Sequence, residues 1–85
     1  MEKINWESEG EASESGKKMG YSGFQKFVTE GMEYHIHAHG NGKWHLTRTK
    51  VSNVPAGVST QQLDDRWDMS MAEIESQIAK WEGWI

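Results

Sequence analysis

MEYHIHAHGNGKWHLTRTKV, residues 32–51, reads as two β-strands around a glycine-rich turn, and the length of that turn decides which side chains meet a core. A two-residue Asn41-Gly42 turn would set His39 beside Trp44 and His37 beside Leu46, mixing apolar and ionisable groups on both faces. A three-residue Gly40-Asn41-Gly42 loop, with Gly42 in the left-handed position of a bulge, pairs Ala38 with Trp44, Ile36 with Leu46 and Tyr34 with Arg48. One face then carries Met32, Tyr34, Ile36, Ala38, Trp44 and Leu46, with the stem of Arg48 along its edge. The other carries Glu33, His35, His37 and His39 opposite Thr49, Thr47, His45 and Lys43. The longer loop separates the faces, so it is the expected one, and all four histidines fall on the solvent side.

Working outward, GFQKFVT (23–29) and a Glu30-Gly31 turn add an antiparallel strand that sets Phe27 beside Tyr34 on the core side. It leaves Phe24 and Val28 on the histidine side, a mismatch that a bulge or a partial cover would resolve. Pro55-Ala56-Gly57 marks a turn that ends this three-stranded meander, and residues 58–67 read as a short helix begun by Ser59 or Thr60, or as irregular chain, with helix, strand and loop all left open over 60–68. Ser70 with Glu73 forms a capping box. Met71, Ile74, Ile78, Trp81 and Ile85 follow at helical spacing, with Glu75, Ser76, Gln77, Lys80 and Glu82 on the opposite side. This amphipathic helix should lie across the core face. Trp84 lies off the stripe, near the chain end, and is a candidate interface residue.

Residues 7–20, ESEGEASESGKKMG, have almost no apolar side chain to offset the entropy of ordering, so residues 1–22 are expected as a flexible acidic segment and 23–85 as a single small α+β domain. Ile4 and Trp6 alternate as in a short strand. If they dock, the sheet gains a fourth strand. The expected fold is therefore α+β: a three-stranded antiparallel sheet, or a four-stranded one, with a carboxy-terminal helix packed on one face.

The chain of 85 residues has no cysteine, which excludes disulfides, thiolate metal sites and cysteine catalysis, and leaves five tryptophans to carry much of the burial. No apolar run approaches the roughly 20 residues of a membrane span, and the amino terminus lacks the order of a signal peptide. A cytoplasmic protein with no membrane contact is expected. The net charge of −4 is uneven: residues 24–51 sum to +2 and hold every histidine, while both flanks are acidic.

The candidate binding surface is the sheet face with Lys26, His35, His37, His39, Lys43 and His45. Histidines two apart on a strand are roughly 6.6 Å apart at Cα. His37, His45 and His35 could thus converge on zinc, although a flat face offers little to orient the rings. Lys26, Lys43 and Phe24 could meet a nucleic acid, which the acidic flanks disfavour. His45-Leu46-Thr47 resembles half of the paired His-x-Thr signature of two-histidine phosphoesterases, but that reaction needs two copies on a larger fold, and the chain has one. No catalytic residue and no cofactor are assigned. The expectation is a non-catalytic protein-binding or regulatory module, of the kind found among bacterial or phage accessory and inhibitor proteins. Its alternative is a metal-, anion- or nucleic-acid-binding module using the histidine face.

Overall fold

A computed structural model describes residues 4–10, 14, 18, 21–39 and 42–85. Five strands, β1 (Glu7–Gly10), β2 (Tyr21–Thr29), β3 (Met32–His39), β4 (Trp44–Val54) and β5 (Gly57–Met69), form one antiparallel sheet in sequential order, followed by helix α1 (Met71–Glu82). The α+β class and the carboxy-terminal helix are as expected. Among the described residues the strands number five, not three or four.

The β3–β4 register is that of the three-residue loop: Ala38 opposes Trp44, His37 opposes His45, Ile36 opposes Leu46 and Tyr34 opposes Arg48. Gly42 has φ +80°, a conformation that glycine adopts without steric cost, and the His39 N–H donates to the Lys43 carbonyl at 2.8 Å. Gly40 and Asn41 lie outside the described residues. The β2–β3 turn likewise places Phe27 opposite Tyr34 and Phe24 opposite His37.

Two corrections supply the extra strands. Glu7–Gly10 pairs with β2, so part of the segment expected to be flexible belongs to the sheet; most of the remainder, 11–13, 15–17 and 19–20, lies outside the described residues. Residues 57–69 form neither a helix nor a loop but a long strand, and Pro55-Ala56 continues the meander as the turn between paired Val54 and Gly57. β5 disguises itself because it carries two irregularities. Leu63 is extra between the Thr49–Gln62 and Arg48–Asp64 pairs, and another residue is extra between Leu46–Arg66 and Trp44–Met69, where Asp68 takes φ +56°. Each bulge resets the two-residue alternation by which a strand is recognised.

α1 starts at a complete capping box. The Glu73 N–H donates to Ser70 Oγ at 3.2 Å, and the Ser70 N–H donates to Glu73 Oε1 at 3.0 Å. It ends at Gly83, left-handed with φ 75°, after which the Trp84 N–H donates to the Ala79 carbonyl at 2.9 Å. Because the helix stops there, Ile85 leaves the stripe and is 69% exposed. Ile74 and Ile78 pack against Tyr34, Ile36 and Leu46, all fully buried, with Ile4 at the margin. Tyr34 lies between the rings of Phe27 and Trp81, at 6.0 and 6.2 Å, and the Arg48 guanidinium covers Trp81 at 4.3 Å. Glu82, expected on the outer side, turns to the sheet and accepts the Tyr34 hydroxyl and, at 3.3 Å, that of Thr29. α1 packs on the face of the sheet that carries Tyr34, Ile36 and Leu46. Among the described residues no helix is long and apolar enough to cross a membrane.

Candidate functional site: the histidine-aromatic sheet face

Alternation along β3 and the register with its neighbours bring His35, His37, His45, Phe24 and Lys26 to the face opposite α1. Phe24 meets His37 edge-on, with 4.5 Å between centroids, and His37 meets His45 edge-on at 5.4 Å. Phe24, expected on the histidine side, is there a direct neighbour of His37, and Val28 remains exposed.

His45 is not on a solvated surface as expected. It is buried beneath Trp67, whose indole stacks on it at 3.7 Å between centroids and 9° between planes, and its Nε2 contacts Asp65 Oδ1. The same indole meets His39 edge-on at 5.5 Å. Trp67 itself is 51% exposed. Both Asp65 and Trp67 come from β5, which is why sequence reasoning missed them: a helix over 59–67 would point them elsewhere. Val58-Ser59-Thr60-Gln61-Gln62 carries no apolar-polar alternation, and the β-branched Val58 and Thr60 are the only strand signal it offers.

His35 is held from two sides, its Nδ1 2.8 Å from Glu9 Oε1 and its Nε2 3.3 Å from Glu33 Oε2. His37 is half-buried, and burial together with the neighbouring His45 and His35 lowers its pKa below the ordinary 6.5. Lys26 faces His35 on one side and Glu7 on the other. Lys43 is exposed at the end of the loop, where its charge also reaches Glu73 at the start of α1. Trp84 lies on the opposite side of the sheet, half-buried, with its ring 6.0 Å from Phe27.

This arrangement limits the chemistry. Carboxylates hold nitrogens of His35 and His45, and among the described residues no three His, Cys, Asp or Glu side chains are placed to hold a metal ion. The described strands contribute four carboxylates to this face, Glu7, Glu9, Glu33 and Asp65, against Lys26, with Lys43 beside His39 at the loop end. Such a balance suits a basic surface better than a phosphate backbone. No family model matches the chain, and neither the curated proteins nor the solved structures contain a match.

Proposed function

We propose that the protein is a non-catalytic, cytoplasmic binding module that docks a partner protein on this sheet face, with Trp67 as the anchor, and acts by occupying the partner's surface. The observation that carries the reading is the position of Trp67. A half-exposed indole is held flat on a buried histidine on the face opposite α1, and tryptophan is among the residues enriched at energetically dominant interface positions. Its pre-set orientation reduces the entropy lost on binding. The carboxylates that the strands bring to this face, Asp65 nearest to Trp67, call for an apolar partner surface with a basic rim.

The test is affinity capture from an extract of the source cells, comparing the parent with Trp67→Ala, each with and without nuclease or chelator. The reading expects a protein that the parent retains through both treatments, that Trp67→Ala loses, and that raised salt weakens. Capture abolished by nuclease would replace it with nucleic-acid binding, and capture abolished by chelator with a metal-dependent module.

A further inference from the structure

We propose that two copies of this chain pair edge to edge through the Gly57–Gln62 stretch of β5, antiparallel, about a two-fold axis at Thr60. The surface is separate from the face proposed for the partner.

The sheet order leaves β1 and β5 as its edges. An edge strand presents unpaired N–H and C=O groups that template another strand, and proteins blunt such edges by shortness, charge and bulges. β1 has all three: it is four residues long, carries Glu7 and Glu9, and shifts register between Ser8 and Gly10. The second half of β5 is guarded as well, by its two bulges, the left-handed Asp68, and Asp64, Asp65 and Asp68. The first half has none of these devices. From Val54–Gly57 to Thr49–Gln62 the pairing with β4 is unbroken, and residues 51–63 contain no charged side chain. This ribbon also runs past the rest of the sheet, since β3 pairs no further along β4 than Met32–Lys50. Val58 at its end is 64% exposed and Val54 42%.

A second copy fits this edge for a reason of charge. The chain carries −4, and its charges lie outside 51–63, so two acidic molecules can meet here without opposing like charges. An axis normal to the sheet must pass through a residue, because only then do matching faces of the two sheets stay on the same side. At Thr60, threonine meets its own counterpart, Ser59 meets Gln61, and Val58 meets Gln62 of the second copy; threonine pairs are favourable cross-strand neighbours. The interface is self-complementary and closes at two, because the outer edges of the joined sheet are then both the guarded β1.

Sedimentation equilibrium of the full chain, from micromolar to millimolar, tests this. The mass of the parent should rise with concentration from 9.7 kDa toward twice that value. Thr60→Lys should hold at the monomer mass with an unchanged circular dichroism spectrum, since one substitution sets two ammonium groups against each other on the axis. Should that variant fail to fold, a dilution series of the parent by NMR gives the same answer, with the moving amides confined to 57–62. A parent that stays at 9.7 kDa throughout, a folded Thr60→Lys that associates as strongly as the parent, or dilution shifts centred on Phe24 and Trp67 would each overturn the proposal.

Discussion

The Trp67 indole lies flat on the His45 imidazole, 3.7 Å between centroids, and thereby joins β5 to the histidine face across the sheet. Imidazole protons beneath an aromatic ring are shielded, so the His45 ring resonances should lie upfield and return downfield in Trp67→Ala. His45→Thr removes the buried member of the stack and should cost about 1–3 kcal/mol in urea unfolding, in the range of lost buried contacts. His35→Thr removes a partly exposed pair with Glu9 and should cost under about 1 kcal/mol. Equal costs would mean that Trp67 does not cover His45.

Stability should fall between neutral pH and pH 5, and His37 should account for part of the fall. Its folded pKa lies below 6.5, so below that pH the unfolded chain takes up a proton that the folded chain resists, and the stabilisation present above 6.5 is progressively lost. Denaturant unfolding at pH 7.5 and 5.5 should show a smaller difference in His37→Asn than in the parent. Glu73, whose carboxyl is lowered by its hydrogen bonds with Ser70, acts in a separate window below 4.5.

Tyr34 is expected to resist ionisation. Burial and the hydrogen bond to Glu82 raise its pKa well above the usual 10, so its contribution is complete below pH 10 and is lost as pH climbs and the unfolded chain releases the proton first. Absorbance titration should show one phenol that ionises only as the chain unfolds. Tyr34→Phe leaves the half-buried Glu82 carboxylate without its main donor and should destabilise by about 1–3 kcal/mol.

Ile78→Ala should cost about 2–5 kcal/mol, the range for truncating a fully buried isoleucine. Ile85→Ala, beyond the Gly83 cap, should stay within about 0.5 kcal/mol. Paired urea melts compare them directly. Similar costs would place Ile85 in the core and extend the packed helix past Glu82.

The β3–β4 register, the division of its two faces and helix α1 were determined by the sequence itself, because each rests on interactions between residues close in the chain. The glycine loop sets which residues pair, the Ser70–Glu73 box starts the helix, and three- and four-residue spacing puts Ile74 and Ile78 on one side. Only the tertiary structure decided β1, β5 and the surroundings of the histidines. Glu7–Gly10 is polar along its length and is ordered by the edge of β2, while β5 takes its extended form from pairing with β4 across two bulges that erase its alternation. Those pairings carry Glu9 to His35, and Asp65 and Trp67 to His45, over separations of twenty residues or more. Local pattern fixes a side chain's face but not what a distant strand lays over it, and so a row expected to be solvated became a partly buried, carboxylate-held cluster.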